Sequence, residues 1–107
     1  MKLLKVVRSN NKSKKYTAVF LVDGRERRIS FGATNYRDYT LLNDKTSKFY
    51  LPNKSDRDVV KDSYKRRHRK DLETNDPMRP GYLSYYLLWN KKTLASAIKY
   101  YKKRFKL

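Results

Sequence analysis

The 107-residue chain contains no cysteine, which excludes disulfides, thiolate metal sites and thiol nucleophiles. The same absence fits a reducing compartment. Glycine is scarce, and Gly24, Gly32 and Gly81 lie too far apart to build a phosphate-cradling loop. No metal-ligand spacing occurs. The one histidine, His68, sits inside a basic run without a neighbouring carboxylate to orient it. Asp56, Asp58 and Asp62 are accounted for by helix capping and charge pairing. No catalytic residue, metal, cofactor or small-molecule substrate is therefore expected, and the chain reads as a non-enzyme. Long apolar runs are missing too. Tyr82–Trp89 is the longest, Ser84 interrupts it, and a membrane span needs ~20 residues. Met1–Arg8 lacks a long apolar h-region, so no secretory leader is expected. Acidic residues are the last scarcity: 10 Asp and Glu stand against 28 Lys and Arg.

What is present closes one core. Apolar residues make up 38% of the chain, and ten Tyr, four Phe and one Trp exclude a wholly disordered polypeptide. The length suits a single domain over residues 1–107. Its net charge of +18 far exceeds the magnitude of ~2–8 that solubility requires. Self-repulsion of that size is relieved by a polyanion. DNA or RNA is the commonest such partner; an anionic membrane or an acidic protein surface would also serve.

Along the chain, Met1–Arg8 reads as a strand and Ser9–Lys14 as a loop. Lys15–Val22 alternates, with Tyr16, Ala18, Phe20 and Val22 on one face. Asp23-Gly24 suits a type I′ two-residue turn, and Arg25–Phe31 returns as the partner strand. Centring the turn there predicts the pairs Val22–Arg25, Phe20–Arg27, Ala18–Ile29 and Tyr16–Phe31. Gly32–Thr40 reads as a loop or single turn. Leu41–Lys54 is either a loop or two short strands about Asn43-Asp44, the second being Phe49–Leu51. Ser55 is the expected N-cap of a helix from Asp56 to about Leu72, with Asp58 completing a capping box. Val60, Tyr64 and Leu72 share one face of it. Asp62 precedes Arg66 by four residues, a favourable charge spacing. Asn75–Gly81 is a connector, Tyr82–Trp89 a short buried helix, and Asn90 the expected cap of a last helix. There Leu94, Ala97, Ile98, Tyr101 and Phe105 form an apolar stripe. Strands followed by helices predict an α+β fold: a small antiparallel meander with an Asp-Gly hairpin, covered on one face by two to three C-terminal helices.

Two basic clusters carry the candidate partner surface. The first is Lys65, Arg66, Arg67, Arg69 and Lys70, on the second half of the first helix. A helix crossing a phosphate backbone would use them; a solvated helix end or a targeting signal are the competing readings. The second is Lys99, Lys102, Lys103 and Arg104, with Lys106, where helical spacing gathers a cationic stripe. Ordinary polar faces mix signs, but no acid follows Asp76. Tyr82, Tyr85, Tyr86, Tyr100 and Tyr101 interleave with these cations. Packing explains them better than base stacking, and no RNP-type motif is present.

Several short motifs add a resemblance. They are Phe31-Gly32-Ala33, Tyr36 with Asp38-Tyr39-Thr40, Arg67-His68, Asp76-Pro77, Gly81-Tyr82-Leu83-Ser84, Leu87-Leu88-Trp89-Asn90-Lys91 and Tyr101-Lys102-Lys103-Arg104-Phe105. Through them the chain, from about Lys15 to Phe105 with gaps, resembles a small basic uncharacterised protein family of giant viruses, the nucleocytoplasmic large DNA viruses. Leu41–Lys54 departs from that pattern as an insertion. Lys92 stands where the family often has Pro, and an aromatic near Asn75 is missing. The resemblance implies a viral origin and supplies no catalytic residues. The resulting expectation is a virion component, met in host cytoplasm or nucleus during infection. It would bind nucleic acid, DNA ahead of RNA, through phosphates and without sequence specificity. The alternative is a minor capsid, or cementing, protein bridging acidic capsomer surfaces.

Overall fold

In the computed structural model, which describes residues 1–107, strand-forming residues at the N-terminus build a three-stranded antiparallel sheet in the order β1-β2-β3. The strands are β1 (Lys2–Arg8), β2 (Lys14–Val22) and β3 (Arg25–Ala33). Asp23 and Gly24 both have positive φ, 51° and 77°, as a type I′ turn requires. The register then pairs Val22 with Arg25, Phe20 with Arg27, Ala18 with Ile29 and Tyr16 with Phe31, as the turn chemistry predicts. A register shift between Leu3 and Lys5 leaves Leu4 unpaired and 47% exposed. This bulge lets Leu3 and Val6, three residues apart, oppose Phe20 and Ala18 on the same face.

That face meets the helices. The core joins Leu3, Ala18, Phe20 and Phe31 to Tyr39, Leu42, Leu83, Leu87, Trp89, Ala97 and Tyr101. Val19, fully buried, lies apart from this cluster on the opposite face, between its cross-strand neighbours Lys5 and Arg28. The fold is thus α+β, a small sheet with helices on one side.

Leu41–Lys54 forms no strand. Instead α1 (Tyr39–Leu42) opens there, capped by Asp38, whose carboxylate accepts from the Leu41 N–H at 3.1 Å. Local turns follow. The Asp44 side chain accepts from the Thr46 N–H, and Leu51 donates back to the Leu42 carbonyl. Such side-chain-to-backbone bonds compete with ladder pairing, so Phe49–Leu51 stays irregular.

Helix α2 (Lys54–His68) starts earlier than expected, with Asn53 and not Ser55 at the N-cap. Asp58 makes no capping box. It accepts from the Tyr39 hydroxyl at 2.9 Å and the Lys54 ammonium at 2.6 Å, and so ties α2 to α1. Asp62 and Arg66 form no ion pair. Beyond His68 the chain tightens into a 3₁₀ segment, Arg69–Thr74, which ends on Asn75 in the left-handed region. Leu72 still reaches the core from there.

Pro80 begins α3 (Pro80–Leu83), which continues as a π-helical turn, Ser84–Leu88. The π turn shifts the register so that Leu83, Leu87 and Leu88 are all buried. Helix α4 (Leu94–Phe105) is capped by Thr93, whose hydroxyl accepts from the Ser96 N–H at 3.2 Å. Asn90, the expected cap, lies in the preceding connection and serves α2 instead: its carbonyl accepts from the Lys61 ammonium at 2.8 Å. Ala97 and Tyr101 anchor α4 in the core, and the Tyr101 hydroxyl donates to the Pro77 carbonyl.

Candidate functional site

Four of the 28 lysines and arginines, Lys15, Arg28, Lys54 and Arg79, lie within 4.0 Å of a carboxylate. The remainder have no such partner, so most of the positive charge is not neutralised by ion pairing within the chain. In the first cluster Arg66, Arg67, Arg69 and Lys70 are exposed. Lys65 differs. It is half-buried, its ammonium lies 5.2 Å from the Tyr85 ring centre, and it reaches the Asn90 side-chain oxygen at 3.4 Å. Burial holds its pKa below the ordinary lysine value, helped by Lys61 and Lys91. Lys61 is lowered for the same first reason. Lys61 and Lys65 thus bring two ammonium groups to Asn90, with Lys91 close enough to repel both, a cluster that sequence reasoning missed. The spacing of Lys61 and Lys65, one helical turn apart, was its only signal.

In the second cluster Lys99, Lys102, Lys103 and Arg104 are exposed along α4. Lys106 leaves the stripe, since it adopts the left-handed conformation just past the helix end. The two clusters sit on different helices, and tyrosines join them. Lys65 lies over Tyr85, Tyr85 meets Tyr86 edge-on at 5.2 Å, Tyr86 stacks on Tyr100 at 6.3 Å, and Lys91 lies 4.9 Å from the Tyr100 ring. Tyr82 and Tyr101 are buried, whereas Tyr100 reaches the surface at 36% exposure. The interleaved tyrosines therefore pack, and the packing itself links the basic end of α2 to α4.

A second arrangement adjoins the first on the same face of α2. Trp89, Tyr64 and His68 stack in series, with centroids 4.2 Å apart at each step and interplanar angles of 6° and 22°. Spacing of four residues on α2 aligns Tyr64 with His68. Burial pushes the Tyr64 hydroxyl up to about 12. His68 does have a carboxylate partner, contrary to expectation. Asp71 approaches its Nδ1 at 3.2 Å, because the 3₁₀ turn brings residue i+3 back toward it.

The stack borders a cleft of about 450 Å³, which Lys15, Tyr36, Arg37, Asp38, Arg67 and Ser84 also line. Asp38, 1% exposed, binds the Lys15 ammonium at 2.6 Å, and Lys15 also donates to the Tyr36 carbonyl at 2.7 Å. Gly32 forms part of the wall at φ +79°; a Cβ there would stand 2.7 Å from Leu88 Cδ1. No group of three or more His, Cys, Asp and Glu side chains is placed to hold a metal ion. No helix is long and apolar enough to cross a membrane.

Comparison with known proteins adds one finding. Residues 4–50 match the model of a family of unknown function, DUF5754. The matched segment spans nearly all of the sheet, α1 and the following turns, and stops before both basic clusters. No curated protein and no solved structure matches the chain.

Proposed function

We propose that this protein is a non-enzymatic nucleic-acid-binding component of a large DNA virus particle, holding phosphates without reading sequence. One observation carries the reading. Exposed cations with no carboxylate partner line the end of α2 and the C-terminal half of α4, and a tyrosine–lysine ridge joins the two helices. Arg66, Arg67, Arg69, Lys70, Lys99, Lys102, Lys103 and Arg104 make the phosphate contacts, while Lys65 acts mainly by holding Tyr85 and Asn90. Counterion release drives such binding and makes it salt-dependent. The viral setting rests on the motif resemblance alone.

A second reading is favoured by a different observation. Basic residues also cover the sheet: Lys2, Lys5, Arg8, Arg25, Arg27 and Arg28 are all exposed, and Lys5 and Arg28 lie on the face away from the helices. Cations on opposite sides suit a minor capsid protein that bridges two acidic capsomer surfaces.

The test is binding to DNA fragments of unrelated sequence across a salt series. The nucleic-acid reading expects similar affinities for all fragments and a log–log salt slope of several units. Absence of binding at ~50 mM salt rejects it and leaves the capsid reading.

A further inference from the structure

The cleft beside α2 adjoins the phosphate-contact surface, with which it shares Arg67, and it is built from the groups that recognise a nucleotide. Its volume of about 450 Å³ falls in the range of small-ligand sites. Its aromatic element is pre-organised. His68 ends the Trp89–Tyr64–His68 stack, lines the cleft and has a side chain 41% exposed, so a further planar ring would extend an existing column. Tyr36, which also lines the cleft, is 69% exposed and stacks on no other ring of the protein. Its loop is pinned by Lys15 through the Tyr36 carbonyl, so the ring is available for stacking on a backbone already held in place. The charges at the mouth are selective as well. Asp38 is neutralised by Lys15, whereas Arg37 and Arg67 line the cleft and pair with no carboxylate. The cleft therefore offers planar stacking surfaces and two free guanidinium groups, the combination used for unpaired nucleotides.

We infer that this cleft takes one unpaired nucleotide of a nucleic-acid strand, its base against His68 and Tyr36 and its phosphate at Arg37 and Arg67. The inference rests on the nucleic-acid reading above and sharpens it, because a duplex keeps its bases stacked inside and cannot fill the cleft. The protein then prefers single strands, or duplex ends and bulges, over intact duplex. The base identity is not read, since every base has a π-face.

The test separates this inference from the broader one. Binding is measured for a single-stranded oligonucleotide and for an abasic strand of the same length, which keeps every phosphate and removes every base. The native strand should bind about 5- to 150-fold more tightly, the range expected for stacking one base. Tyr36→Ala and His68→Ala should each erase most of that difference and leave the salt slope unchanged. His68→Phe, which keeps a ring face, should retain it and guards against loss of the helix end as the cause. Equal binding of the two strands overturns the nucleotide cleft while leaving phosphate binding intact. Failure of both strands to bind at low salt overturns both readings. Tighter binding of an acidic tyrosine-bearing peptide than of the native strand, lost in Tyr36→Ala, also overturns it and assigns the cleft to a protein partner.

Discussion

Asp38 shows how much one side chain organises here. It caps α1 through the Leu41 N–H, accepts from the Thr40 hydroxyl and binds the Lys15 ammonium, all while 1% exposed. Lys15 in turn fixes the Tyr36 carbonyl, so the pair joins β2 to the loop that forms the cleft rim. Deleting one member of such a pair strands the other's charge in a poorly solvated place. Asp38→Ala should therefore lower unfolding free energy by about 3–5 kcal/mol, read from urea midpoints. Adding Lys15→Met to it should recover part of that loss, since the second change removes the stranded charge. Strict additivity of the two changes would contradict this account. Neither half of this role was read from the sequence, where Gly32–Thr40 was expected to be a loop or single turn. Lys15 is 23 residues away along the chain, and only the register of β2 against β3 places it there.

At the scale of elements, whatever had a strong local code was legible. The Asp-Gly turn fixed the β2–β3 register by itself, because its two positive φ angles leave one way for the strands to pair. The stripe on α4 was equally clear, with Ala97 and Tyr101 buried as their spacing required. Boundaries set by competing caps were not. Ser55 and Asn90 look like caps in sequence, but Asn53 and Thr93 stand at the N-caps, Thr93 through its bond from the Ser96 N–H. Asn90 was recruited by Lys61 and Lys65, and Asp58 by Tyr39. The π turn at Ser84–Leu88 had no sequence signal, because Tyr82–Trp89 is apolar nearly all round and any helical phase buries something. The basic clusters themselves were legible as charge, but their connection through Tyr85, Tyr86 and Tyr100 and the cleft beside His68 depend on packing between helices. The caps give a direct check. Thr93→Ala should cost about 1 kcal/mol in stability, and Ser55→Ala should stay within about 0.5 kcal/mol of wild type, both by chemical denaturation. The reverse ranking would return the α2 cap to Ser55.

Over the whole molecule, the unrelieved charge and the buried tyrosines set how stability responds to alkali. Burial raises the hydroxyl pKa of Tyr39, Tyr64, Tyr86 and Tyr101, for Tyr64 to about 12 against an unfolded value of 10.0. A group raised on folding contributes stability that is complete below its unfolded pKa and is lost as pH climbs through the folded one. For Tyr64 that window runs from pH 10 to about 12. Lys61 and Lys65 act in the other direction: burial lowers them, so the cost of keeping them charged is relieved as pH rises toward their unfolded value of 10.5. Loss of lysine charge also eases self-repulsion in a chain of net charge +18. Below pH 10 the stability curve should accordingly be flat or gently rising, and above it the tyrosines should dominate and the curve should fall. Tyr64→Phe isolates the effect. The Tyr64 hydroxyl makes no side-chain hydrogen bond, and phenylalanine keeps the ring between Trp89 and His68. Urea midpoints from pH 8 to 12 should diverge above pH 10, with the variant falling less steeply than wild type. Parallel curves through that window would mean that Tyr64 ionises as readily in the folded protein as in the unfolded chain, and that the stack does not exclude water from its hydroxyl.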